Sequence, residues 1–190
     1  SVKGGERFGR YSIIGLPATT RIEVRDQQLQ VIQNDAVIES HTDQNPLDFI
    51  KTYQARFNPP PYEGLPRFTG GLAGYFGYET IQYIEKRLGK QKKPDVIGTP
   101  DILLMVSEEI AVIDNLSSKL YFIVYADPAQ PNAYQTARDR MEALLAKLRT
   151  QVEIPAALPT SITQAFSEFG EESFKTAVKT AQQYILEGDI

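Results

Sequence analysis

Two runs rich in Ile, Leu, Val and Tyr, 101–114 and 119–126, stand on either side of Asn115-Leu-Ser-Ser118, and nothing else constrains the fold as tightly. β-Branched and aromatic residues flanking a short polar turn make an antiparallel hairpin. The opening third repeats this pattern in smaller pieces. Residues 10–14, 21–25, 29–33 and 36–39 are short β-rich segments divided by Gly15-Leu-Pro17, Asp26-Gln-Gln28 and Asn34-Asp35, the last a two-residue hairpin signal. An antiparallel meander is expected there.

Helical periodicity interrupts the strands at four places. Asn45 is placed to cap a helix that starts at Pro46 and carries Leu47, Ile50, Tyr53 and Phe57 on one face. It must stop before Asn58-Pro-Pro-Pro-Tyr62, because proline lacks the N–H that a helix needs. A short helix is expected over 78–88, followed by a solvated basic turn over 89–94. Asn132 is expected to cap a helix over 133–149 whose stripe of Tyr134, Ala137, Met141, Leu144, Leu145 and Leu148 belongs to the core. Pro155, Pro159 and the Ser and Thr around them give 150–164 the composition of a linker. A last amphipathic helix, 171–187, carries Phe174, Val178, Ala181, Tyr184 and Ile185 and ends at Gly188. The fold class read from this is α+β, with mixed, mainly antiparallel sheets and flanking helices.

Between the first helix and the long hairpin lies Arg67-Phe-Thr-Gly-Gly-Leu-Ala-Gly-Tyr-Phe-Gly-Tyr-Glu79. Four glycines among aromatics mark backbone that passes close to another strand or to a ligand. The spacing fits neither the Gly-x-Gly-x-x-Gly dinucleotide turn nor a P-loop, so a nucleotide is not expected. Packing is the favoured reading.

Composition excludes several function classes. A net charge of -4 provides no basic stripe for phosphates, so nucleic acid is not an expected partner. No run reaches the ~20 apolar residues of a membrane span. The chain has no cysteine, which removes disulfides, thiolate metal sites and a cysteine nucleophile, and makes a cytoplasmic setting the expectation. Because it starts at Ser1 and stops just after an amphipathic helix, a longer parent protein is expected.

Catalytic chemistry is sparse. His41, the single histidine, lies in a Ser-His-Thr-Asp turn and is expected to be a solvated loop residue. Glu108-Glu109 falls in mid-strand, where neighbours point to opposite faces and cannot act as an acid–base couple. Glu171-Glu172 suits a helix N-terminus rather than a metal. Binding is better served than catalysis: strand alternation puts Arg10 and Ser12 on one face, where a guanidinium and a hydroxyl could hold a carboxylate.

Three segments together, Gly4-Gly-Glu-Arg-Phe-Gly-Arg-Tyr-Ser-Ile-Ile-Gly15, the glycine segment 67–79 and Pro100-Asp-Ile-Leu-Leu-Met105, resemble the large subunit of anthranilate synthase along the whole chain. The resemblance implies residues 1–150 as that enzyme's N-terminal domain, 151–165 as a linker, and 166–190 as the first helix of its chorismate-utilising domain. It implies an enzyme that converts chorismate to anthranilate in tryptophan synthesis, with magnesium and with ammonia from a glutamine amidotransferase partner. The magnesium and chorismate residues of that family lie in the later domain, so an isolated 190-residue chain is expected to be inactive. The family's feedback site for tryptophan carries Leu-Leu-Glu-Ser, ten residues, then Ser. Ser1 and Ser12 match the last two positions, and Arg10 joins them as a candidate tryptophan contact; the Leu-Leu-Glu part would precede the first residue. Asn58-Pro-Pro-Pro-Tyr62 differs from the family's Asn-Pro-Ser-Pro-Tyr-Met element in place and in having Glu63 at the methionine, and is read as structural. Aminodeoxychorismate synthase of folate synthesis is the neighbouring alternative. From another class comes a stand-alone amino-acid-binding module, against which the uncovered terminal helix speaks.

Overall fold

A computed structural model describes residues 9–60, 62–85, 87–88, 95–153, 156 and 164–189. The chain divides into two compact units, Ser1–Thr150 and Gln151–Ile190.

The first unit holds two antiparallel sheets. Strands β2 (Thr20–Arg25), β3 (Gln28–Gln33) and β4 (Ala36–His41) form the expected meander, closed at Asn34 and Asp35, which both take the positive φ of a primed hairpin turn. Strands β5 (Gly71–Phe76) and β6 (Ile102–Ser107) complete a five-stranded sheet of order β4-β3-β2-β6-β5. The first strand, β1 (Tyr11–Gly15), leaves the meander and pairs with β7 (Glu109–Asp114), which pairs in turn with β8 (Lys119–Val124). Every pairing is antiparallel among the described residues. The α+β class stands.

One expected strand is two. The run 101–114 breaks at Glu108, so β6 serves the five-stranded sheet and β7 the three-stranded one. The Glu108 carbonyl accepts from Tyr125 N at 2.9 Å, fixing the corner against the end of β8. Glu108 and Glu109 are therefore not neighbours within a strand, and their side chains have separate surroundings.

The core lies on one face of the larger sheet. Ile22, Val24, Leu29, Val31, Ile102, Leu104 and Val106 are buried beneath helix α1 (Pro46–Gln54), which contributes Phe49, Ile50 and Tyr53. Each such side chain contributes about 1.5–3 kcal/mol when fully buried. A register shift between Val31 and Ile32 lets two consecutive residues of β3 be buried, which regular alternation would forbid. The helix start is as expected: Asn45 Oδ1 accepts from Leu47 N at 2.9 Å, and Pro46 takes the first turn.

Elsewhere local signals mislead. Residues 78–88 give only a 3-10 turn, Tyr78–Tyr83. Gly77 at its start offers no capping side chain, and the Tyr83 hydroxyl is drawn to Asp26 O at 2.5 Å and Asp101 Oδ2 at 3.0 Å. The expected basic turn 89–94 lies outside the described residues. In helix α2 (Ala133–Leu148), Asn132 sits in the left-handed region with φ 56 and makes no side-chain cap. Nor is the α2 stripe core: Ala137, Met141 and Leu144 are half-buried, whereas Tyr134, Leu145 and Leu148 are exposed. Helix α2 packs its inner edge on β8.

Most of the expected linker 150–164 is outside the described residues. The second unit contains α3 (Glu171–Glu187), closed by Gly188 with φ 81 and by bonds from Gly188 N to Ile185 O and Asp189 N to Tyr184 O. Its apolar residues, Phe174, Val178, Tyr184 and Ile185, are exposed.

Candidate functional site

Strand β1 carries Ser12, with Arg10 immediately before it, and attachment to the β7–β8 hairpin decides what they can do. Asp114 opens the turn after β7 and accepts from Leu116 N and Ser117 N, as an aspartate at a turn start does. Its carboxylate, only 2% exposed as a residue, also receives Arg10: Nη2 donates to Oδ2 at 2.9 Å and Nε to Oδ1 at 3.2 Å. This fork, with the turn N–H groups and against the effect of burial, holds the Asp114 carboxyl well below the usual carboxylate range. The guanidinium also lies 4.9 Å from the centre of the Tyr11 ring.

Asn115 completes the network. Its Nδ2 donates to Gly9 O at 3.0 Å and to Ser12 Oγ at 3.1 Å, and its backbone N donates to Arg10 O at 2.7 Å. Asn115 thus bonds both the Arg10 carbonyl and the Ser12 hydroxyl, while the Arg10 guanidinium is committed to Asp114 through two of its nitrogens. Ser12 Oγ accepts from Asn115 and keeps its own proton to donate. Ser1 lies outside the described residues. Sequence reasoning missed Asp114 and Asn115 as partners; the signal available was an Asp-Asn pair at the mouth of a hairpin.

The glycine segment is built for close approach. A Cβ on Gly70 would lie 2.6 Å from Tyr125 Cε2 and 2.8 Å from Ser107 O, where β5 begins against the junction of the two sheets. A Cβ on Gly74 would overlap Leu103 O and lie 2.9 Å from Leu104 Cα, on the neighbouring strand β6. At Gly77 it would meet Asp101 O at 2.9 Å. All three contacts are with the chain itself.

A family described as chorismate binding enzyme matches residues 10–190, from the arginine that forks onto Asp114 through α3. The chain belongs to the chorismate-binding enzyme family. Among members of that family, it is 52% identical to anthranilate synthase component 1 of Neisseria meningitidis serogroup C and 44% identical to that of Pseudomonas aeruginosa, in each case across 100% of this chain and 39% of the relative. A crystal structure of anthranilate synthase component I from Streptococcus pneumoniae superposes with a TM-score of 0.71 at 26% identity, over 100% of this chain and 41% of that one. The chain therefore spans about two fifths of the length of these relatives.

For a chorismate-binding enzyme the remaining chemistry here is thin. Among the described residues no group of three or more His, Asp or Glu side chains could hold a metal ion. His41 is not the solvated loop residue expected: it ends β4, half-buried, with its ring 5.1 Å from Phe49 and Nε2 3.7 Å from Glu39 Oε2. Glu39 is held mainly by Arg56, which forks onto both its oxygens and keeps its carboxyl ionised to lower pH than usual. That cluster fastens α1 to the edge strand. No helix among the described residues is long and apolar enough to cross a membrane.

Proposed function

We propose that this chain is the N-terminal part of an anthranilate synthase component I, whose intact form converts chorismate to anthranilate in tryptophan synthesis. The 52% identity to the Neisseria relative, sustained over the full 190 residues, carries the reading. In it, the intact protein works in the cytoplasm with magnesium and with ammonia from a glutamine amidotransferase partner. Magnesium, held by residues outside this chain, would supply positive charge beside the substrate's carboxylate. In this reading residues 1–150 act as scaffold and sensor, and α3 begins the chorismate-utilising domain.

The intact protein, given chorismate, ammonia and magnesium, is expected to release fluorescent anthranilate, while the 190-residue chain alone releases none. A 4-amino product in place of anthranilate would make the parent an aminodeoxychorismate synthase and overturn the assignment.

The sensor role is placed on β1. Ser12 keeps a hydroxyl proton for a carboxylate and Arg10 keeps Nη1 outside its fork to Asp114; Ser1 is the third contact in this reading. Ser12→Phe in the intact enzyme is expected to raise the tryptophan concentration for half-inhibition by about tenfold or more, the worth of one lost charge-assisted hydrogen bond plus a steric block. Turnover of chorismate without tryptophan should change less than twofold. Equal loss of turnover and inhibition would count against a sensor on this strand.

A further inference from the structure

On the first unit, away from β1, the proline-rich loop after α1, the segment after β8 and the start of α2 enclose an open groove of about 1070 Å³. This is slightly above the ~300–1,000 Å³ typical of small-molecule sites. Phe57, Pro59, Pro60, Leu65 and Pro66 make an apolar wall. Thr69 Oγ1 and Tyr125 Oη, 3.1 Å apart, place a bonded hydroxyl pair beside it.

Most charges on the groove are already compensated. Arg56 is forked onto Glu39 and Arg140 is bonded to Glu109. Asp127 accepts from Ala129 N and Gln130 Nε2 in its own turn. Two side chains are different. Arg67 and the half-buried Glu108 both line the groove, and neither makes a side-chain hydrogen bond or ion pair with another described residue. They are opposite in sign and not paired with each other. The half-buried Glu108 carboxylate and the exposed Arg67 guanidinium are thus both open to groups of opposite charge on a ligand in the groove.

We infer that this groove binds an α-amino acid with an apolar side chain. The ammonium meets Glu108, the carboxylate meets Arg67, and the side chain lies on the Phe57 and proline wall. A simple anion would leave Glu108 unpaired, and a simple amine would leave Arg67 unused. The inference is independent of the tryptophan contacts proposed on β1.

Calorimetric titration of the intact protein with L-phenylalanine and L-leucine tests it, using 3-phenylpropanoate and phenethylamine as analogues that each lack one charge. Saturable binding of both amino acids is expected, with each analogue weaker by about tenfold or more. Glu108→Gln should bind phenylalanine no better than 3-phenylpropanoate, and Arg67→Gln no better than phenethylamine. Ser12→Phe should leave phenylalanine binding in the groove unchanged, which separates this site from the one on β1. The analogue comparison on the unaltered protein stands even if a variant fails to fold. Absence of saturable phenylalanine binding up to about 10 mM, analogues that bind as well as the amino acid, or variants indistinguishable from the parent protein would each overturn the proposal.

Discussion

Gly74→Ala is expected to destabilise the protein by about 3 kcal/mol or more, because the added methyl has nowhere to go. Its Cβ would overlap the carbonyl of Leu103 and press on Leu104 Cα, and both are backbone atoms of β6, the strand between β2 and β5. A flexible side chain could swing aside; a carbonyl inside a ladder cannot move without breaking the pairing of β5. Gly15→Ala is the matched control. Gly15 ends β1, has no atom within 4 Å of a built Cβ and does not lie at positive φ, so alanine there should be neutral or stabilising by a few tenths of a kcal/mol. Thermal or urea melts of the intact protein measure both. Equal midpoints for Gly74→Ala and Gly15→Ala would show that β5 can shift and that the glycine is not required by its neighbours.

This contrast also shows what the sequence could reveal. Glycines among aromatics are visible, and so is the inference of close approach, but which glycine touches what depends on the partner strand. Capping at Asn45 and Pro46 was legible because its chemistry is complete within three residues. The positive φ at Asn34 and Asp35 was legible for the same reason. The break at Glu108 was not, since both sides keep the same β composition and the change of sheet is decided by β1, β2 and β5 from elsewhere in the chain. Asn132 shows the limit of a local rule: the right residue type stands before α2, but in a conformation that cannot cap it.

The candidate site was half legible. Alternation put Arg10 and Ser12 on one face; in the fold the guanidinium goes to Asp114 and the Tyr11 ring, and the Ser12 hydroxyl to Asn115. What alternation could not supply is Asp114, 104 residues further along, or Asn115 beside it. A guanidinium that looks free in sequence is occupied in the fold by Asp114. The groove between the proline loop and α2 was invisible for a related reason. Glu108 and Arg67 are far apart in sequence, and only the sheet corner brings them to one cavity.

Asp114 itself provides the second large effect, through pH. Its folded-state pKa is depressed by the Arg10 fork and the turn N–H groups, so the carboxylate favours folding wherever the unfolded chain would also be ionised, above a pKa near ~3.9. That contribution must fall as pH drops from about 5 through the unfolded value toward the lower folded one. Asp114→Asn keeps an oxygen for Leu116 N and Ser117 N but sets a neutral amide against Arg10. It should be clearly less stable than the parent protein at pH 7, and the gap should shrink steadily below about pH 4 as the parent loses its own charge. Asp114→Ala, which also abandons the turn N–H groups, should remain below Asp114→Asn at every pH, and the difference between them isolates the turn. Arg10→Lys should resemble Asp114→Asn only in part, since a point charge restores attraction without the two-pronged geometry. Melts of the intact protein from pH 7 to pH 2.5 read all four curves. A gap between parent and Asp114→Asn that stayed constant over that range would mean that the fork contributes geometry without charge, and that β1 is held to the hairpin by its backbone ladder alone.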